Sequence, residues 1–183
     1  MVPCVNMPVG ITRRDMLISW YYQRDELTKM RIRPIEDGDV AKVARLLREL
    51  AVAFIVHESP PEGAATFLGE NDEAAIRRYI EIGYVYHVAE IGGEIAGFIA
   101  LRDRSHLFHL FIGVQWQGQG LARKLWDVAR ANAIESGGDG IFTVNASNFA
   151  LPVYEALGFV RTAPTQCVKG LYFNPMKYEA PLR

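Results

Sequence analysis

Between Val114 and Leu125 the chain reads Val-Gln-Trp-Gln-Gly-Gln-Gly-Leu-Ala-Arg-Lys-Leu, and this is the stretch best suited to hold an anion. An apolar segment with strand character, His106 to Val114, leads into it. Leu121, Leu125, Val128 and Ala129 follow at helical spacing. Glycines between a strand and a helix let the backbone approach a ligand, and the first helical N–H groups have no partner inside the helix. The helix dipole adds about half a positive charge at that end. Arg123 and Lys124 stand in the first turn, where a purely structural helix favours acids, so an anion is expected there. The turn is not a dinucleotide fingerprint, because Arg123 replaces the third glycine and the ribose-binding acid is missing. The Gly-Lys-Ser/Thr of a Walker loop is also absent.

Few other residues offer chemistry. His106 and His109 lie on the strand before the turn, on opposite faces, so at most one faces a site directly. His87 lies on a neighbouring strand, and His57 and Glu58 close the first long helix. Each is a candidate base, weighed against a hydrogen-bonded core role and against a base relayed through water. Trp116 reads as packing over the turn and Glu155 as a solvated helix position. Cys4 and Cys167 form no Cys-x-x-Cys pair, so no metal site or redox pair is expected. No motif supplies Cys167 with the histidine an acyl-carrying nucleophile needs.

The elements that position these residues follow from periodicity. Arg31 to Ile35 reads as a first strand. Asp37-Gly38-Asp39 is a turn and cap, followed by an amphipathic helix with Val40, Val43, Leu47, Leu50 and Phe54 on one stripe. Ser59 to Gly63, with two prolines, reads as a loop. Asn71 and Asp72 cap a second helix with Ala75, Ile76, Tyr79 and Ile80 inward. Tyr84 to Ile91, Ile95 to Leu101 and His106 to Val114 are three successive antiparallel strands, the first pair joined at Gly92-Gly93. After the glycine turn and its helix come a strand at Ile141 to Asn145 and a helix at Ala150 to Leu157, stopped by Gly158. A strand starts at Phe159, and a last one at Leu171 is demoted to an edge or an end by Pro175. The order β-α-α-β-β-β-α-β-α-β-β does not alternate as a doubly wound fold would. It predicts a mixed, mostly antiparallel central sheet with helices on both faces.

The 183 residues suffice for one domain with a sizeable core, taken as 31–183 behind an extension at 1–30. That extension carries a possible helix at Asp15 to Thr28. It reads either as an appended helix that docks or mediates an oligomer, a homodimer being the expectation, or as an overlong start ahead of Met30. Half of the residues are hydrophobic and the net charge is -1, which argues against a dedicated nucleic-acid binder. No apolar run reaches the roughly 18 residues of a membrane span. Arg13, Arg14 and Asp15 interrupt what would be the apolar core of a signal peptide, so the expectation is a cytoplasmic protein with no membrane partner.

The motifs together resemble the GNAT superfamily of N-acetyltransferases. Gln117-x-x-Gly120-x-Ala122 is similar to its Q/R-x-x-G-x-G/A turn. Leu110-Phe111-Ile112 before it, then Asn148, then Tyr154-Glu155-Ala156-Leu157-Gly158-Phe159, keep the family's order and spacing. Gly170 to Met176 resembles the ending of one bacterial branch, and the likeness covers about residues 31–178. The family's N-x-x-A is one residue shorter here, Asn148-Phe149-Ala150, which leaves Asn148 two readings, cofactor contact or helix cap. The resemblance implies acetyl-coenzyme A as cosubstrate. Its pyrophosphate would lie on Gln117, Gly118, Gln119, Gly120, Leu121, Ala122 and Arg123, and its pantetheine arm along Leu110, Phe111 and Ile112. It further implies Tyr154 as the acid that protonates the leaving thiolate, and His109 or His106 as a base. The expected activity is N-acetyl transfer to a primary amine, on a small molecule or peptide, by direct attack in a ternary complex. The rival expectation is an acyl-coenzyme A sensor that catalyses nothing.

Overall fold

Near-continuous apolar runs from Val85 onward, buried on both faces, lay down the middle of the molecule. The computed structural model describes residues 30–56 and 60–181. The strands are β1 (Arg31–Pro34), β2 (Val85–Ile91), β3 (Glu94–Arg102), β4 (His106–Ile112), β5 (Ile141–Ala146), β6 (Val160–Arg161), β7 (Gln166–Val168) and β8 (Leu171–Glu179). Their order across the sheet is β1-β2-β3-β4-β5-β8-β6, with β7 paired to β8. Every described pairing is antiparallel except that of β4 with β5. The helices are α1 (Val40–Phe54), α2 (Pro61–Gly69), α3 (Glu73–Glu81), α4 (Leu121–Glu135) and α5 (Leu151–Leu157). Among the described residues no helix is long and apolar enough to cross a membrane. The expected extension, with its helix at Asp15 to Thr28, lies outside the described residues, as do His57 and Glu58.

Each face of the sheet has its own apolar core. On one face α1 and α3 set Val40, Val43, Leu47, Ala51 and Ile76 against Tyr86, Val88, Phe98 and Ala100. On the other, α4 and α5 set Leu121, Leu125, Trp126, Ala129 and Leu157 against Ile99, Leu107, Phe142 and Val144. The fold is therefore the mixed, mostly antiparallel sheet with helices on both faces that the sequence predicts.

The structure corrects four local readings. Three helices, not two, separate β1 from β2, because Pro61 opens α2 instead of sitting in a loop. A proline at the first helical position gives up only an N–H that has no partner there anyway. Pro175 lies inside β8, an interior strand, and its carbonyl accepts from the Thr162 amide at 3.0 Å. The two-residue β6 ends there, so the missing proline N–H costs no ladder bond. In α4 the buried stripe takes Trp126, while Val128 stays 37% exposed. Asp72 alone caps α3, accepting from the Ala75 amide at 2.8 Å, and Asn71 is committed elsewhere.

Gly63 and Gly97 mark close backbone contacts near the site. Gly63 of α2 lies against the β7–β8 turn, where an added Cβ would come 3.0 Å from the Lys169 carbonyl oxygen. Gly97 on β3 faces Ile112, and a Cβ there would come 2.8 Å from both the Phe111 oxygen and the Ile112 Cδ1. Gly97→Ala is expected to destabilise the protein by about 1–3 kcal/mol in urea unfolding, as overpacking does. A loss within about 0.5 kcal/mol would show that β3 and β4 yield freely at this point.

Candidate functional site

The site begins where two strands part. β4 and β5 pair only at His106 with Thr143 and Leu107 with Val144. On its other side β4 pairs His109 with Ala100 and Leu107 with Leu101, which leaves Phe108 as an extra residue. Such a bulge bends its strand and shifts its alternation by one, so His106 and His109, expected on opposite faces, share one face and both line the site. Past the bulge the Gly113 amide donates to the Ala96 carbonyl at 2.9 Å. By antiparallel alternation His109 and Phe111 then face β3, and the backbone groups of Leu110 and Ile112 face the opening. The Ile112 carbonyl meets Gln117 there, accepting from its Nε2 at 3.0 Å.

The glycine turn lies at the end of this opening. Gly118 and Gly120 have φ of 73° and 77°, which carries the chain from a short turn at Val114–Trp116 into α4. Gly120 holds the N-cap position without a side-chain cap bond. Among the described residues, none of the N–H groups from Gly118 to Arg123 meets a protein acceptor; the first that does is Lys124, on the Gly120 carbonyl at 3.2 Å. This is a concave row of donors at a positive helix end, suited to a phosphate or diphosphate. The Gln119 side chain turns back to donate to the Gln115 carbonyl at 2.9 Å. The Arg123 guanidinium donates to the Ala156 carbonyl near the C-terminal end of α5, tying the two helices together beside the donors. Trp116 lines the same opening and keeps its indole N–H buried without a partner among the described residues.

A cleft of about 820 Å³ runs from these amides along the parted strands. Gln117, Gly118, Gly120, Leu121, Ala122, Arg123, Leu110, Phe111 and Ile112 line it, together with Tyr154, His106 and His109. Gln119 and Asn148 are not in its lining. Asn148 accepts from Asn174 Nδ2 at 2.9 Å, and the N-cap of α5 is Ala150. His87 is buried on β2 away from the cleft.

Tyr154 is 6% exposed, and its hydroxyl has no hydrogen-bond partner among the described residues. Burial holds its pKa well above the ordinary phenol value, so the proton stays on. His106 bonds through Nδ1 to the Thr143 hydroxyl at 2.8 Å, and burial lowers its pKa, so it is a neutral imidazole. His109 is more tightly held. Asn71 donates from Nδ2 to the Phe67 carbonyl at 2.7 Å, which turns its Oδ1 toward His109 Nε2, also at 2.7 Å. Nε2 therefore carries the hydrogen, and Nδ1 accepts from the Tyr86 hydroxyl at 3.2 Å. With both nitrogens engaged and full burial, its pKa falls to about 3.

Sequence reasoning overlooked the far wall: Phe67 and Glu70, with Asn71 read only as a cap and Tyr79 only as a packing residue. Phe54 carried a signal, since it continues the α1 stripe one turn past the buried part of the helix. Among the described residues no cluster of three or more metal-ligating side chains exists.

The family model of the acetyltransferase (GNAT) domain matches residues 55–180. No curated protein sequence matches the chain. Among solved structures it is similar to a GCN5-related N-acetyltransferase from Rhodopseudomonas palustris, at 22% identity and a TM-score of 0.67, covering 82% of this chain and 95% of that one. It is similar to PaiA N-acetyltransferase of Thermoplasma acidophilum in complex with coenzyme A, at 13% identity and a TM-score of 0.66, covering 82% and 99%. It also resembles yncA of Salmonella typhimurium, solved with its cofactor acetyl-CoA, at 21% identity and a TM-score of 0.60, covering 82% and 93%. At these identities the likeness is one of fold.

The His109 network carries a pH signature. Unfolded, the imidazole takes up a proton below about 6.5, whereas folded it does so only near 3. The unfolded state therefore binds the extra proton between those values, and stability falls as pH drops through that window. His109→Gln is expected to flatten the stability–pH curve by about 1.4 kcal/mol per pH unit there, as read by urea midpoints. An unchanged slope would mean that His109 titrates normally in the folded protein.

Proposed function

Because the chain belongs to the GNAT acetyltransferase family, we propose that it moves an acetyl group from acetyl-coenzyme A to a primary amine, which attacks directly in a ternary complex. The observation that carries this reading is the row of unpartnered amides from Gly118 to Arg123, opening on the same cleft as the free edge of β4. Acetyl-coenzyme A supplies an activated acetyl thioester. The residues present suit it. The amides of 118–123 hold its diphosphate, and the backbone of Leu110 and Ile112 pairs with the pantetheine arm as an added strand would. An N–H near Ile112 polarises the reacting carbonyl.

Proton balance assigns the side chains. The neutral amine loses one N–H proton as the amide forms, and the departing sulfur gains one. Tyr154 relays that proton. Its raised pKa means that a phenolate never accumulates, so the phenol gives and recovers its proton within one turnover. His106, neutral and with Nε2 free of protein partners among the described residues, accepts the proton that an arriving ammonium must shed. His109 has no free ring nitrogen for that task and serves instead to hold β4 to Asn71.

Calorimetry with coenzyme A and a thiol-release assay over a panel of amines test the proposal. Tyr154→Phe is expected to lower kcat roughly 10²–10⁴-fold with coenzyme A affinity unchanged. Undiminished turnover would remove Tyr154 from the mechanism. Tight coenzyme A binding with no amine ever turned over would instead make the chain a binding module.

A further inference from the structure

The end of the cleft away from the glycine turn is built of rings. Phe54 comes from α1, Phe67 from α2, Tyr79 from α3, Phe108 from the β4 bulge, Phe149 from the segment before α5 and Tyr172 from β8. They belong to different elements, yet they meet around one space. Phe54 and Phe149 stack across it with centroids 4.5 Å apart and planes 17° from parallel. Phe108 meets Tyr79 edge-on at 5.0 Å. Phe149 is 51% exposed and Tyr172 48%, so these rings are not simply an extension of the core.

The charge in this region is equally specific. Of the residues lining the cleft, Arg123 lies at the glycine turn, and Glu70 is the one acidic residue among the described ones. Glu70 is fixed at the end of α2. Its N–H bonds the Thr66 carbonyl at 2.9 Å, and its carbonyl accepts from the Tyr79 hydroxyl at 2.8 Å. Lys169 comes within 3.6 Å of the carboxylate, but the pair is largely exposed and weakly held, so the carboxylate can exchange Lys169 for another cation. A polyamine or aminoglycoside would need several acids. A free amino acid would need a cation inside the cleft for its own carboxylate, and Lys169, the cation beside Glu70, is not among the residues that line it.

Resting on the reading above, we propose that the acceptor is a monoamine with an aromatic or bulky apolar body and no carboxylate. Glu70 draws its ammonium to the cleft, and the ring-lined end takes its body. The arriving ammonium gives up a proton before attack, and the charged form is the one Glu70 recognises.

Full-length protein saturated with acetyl-coenzyme A would be assayed for thiol release with phenethylamine, tryptamine, phenylalanine, tryptophan and spermidine. Calorimetry would follow phenethylamine binding to the coenzyme A complex. The arylalkylamines are expected to exceed both amino acids and spermidine in kcat/KM by roughly tenfold or more, since a site rejects a ligand whose charge it leaves unpaired. Glu70→Gln should raise KM for phenethylamine roughly tenfold, with coenzyme A affinity, which also reports folding, unchanged. Phe67→Ala should cost phenethylamine more than ethylamine. Preference for spermidine or the amino acids would overturn the inference. So would coenzyme A binding with no arylalkylamine bound or turned over, which leaves the cofactor site standing. Failure to bind coenzyme A would bring down the acetyltransferase reading itself and the acceptor class with it.

Discussion

A parallel strand pair that stops after two residue pairs organises this molecule. The pairing of β4 with β5 begins at His106 and Thr143, and the extra residue Phe108 turns β4 aside. Had the ladder continued, the Leu110 and Ile112 backbone groups would be spent on β5 and no cleft would exist. Backbone donors and acceptors in a sheet must find partners, so an edge opened inside the sheet is a standing demand for a strand-like ligand. The glycine turn lies at the end of that edge because the chain leaves β4 there and must reverse into α4. Edge and anion cradle are thus consecutive in sequence and collinear in space.

Opposite this cradle the fold sets a buried chain of polar groups. Tyr86 on β2, His109 on β4, Asn71 before α3 and the Phe67 carbonyl on α2 are linked by three hydrogen bonds. The links join the sheet and the helices on one of its faces at one wall of the cleft. Each group is satisfied, which is what makes an imidazole tolerable at such depth. The same satisfaction withdraws His109 from proton transfer and leaves His106, half-buried where the strands are still paired, with a nitrogen to spare.

What could be read in the sequence was local. Gln117 to Arg123 lie side by side in the chain, and glycine, amide and helix start act over a few residues, so the cradle was visible. Short apolar runs at β2, β3 and β4, separated by turn residues, marked the sheet, and the stripe on α1 marked its covering helix. Asn71 and His109 are 38 residues apart, and no spacing rule connects them. Asn71 next to Asp72 looked like a second cap, because either residue type suits that position. Pro60-Pro61 looked like a loop because the helix-starting and helix-breaking uses of proline differ only in position. The aromatic wall was the least legible part. Its rings come from separate elements, and a phenylalanine that lines a cleft obeys the same periodicity as one that fills a core.

Gly63 gives that wall a mechanical property. Where α2 crosses the β7–β8 turn the contact is main chain against main chain, with Lys169 and Gly170 pressed on a helix that has no side chain at that point. Lys169 and Gly170 both take positive φ there, so the turn has little room to retreat. α2 carries Phe67 and is capped by Glu70, and β8 carries Tyr172, so the two sides of the chamber meet at one bare residue. A methyl group added at that residue would act as a spacer between them, widening the chamber without touching any group that lines it. The size of the chamber is in this way adjustable from a place outside its lining.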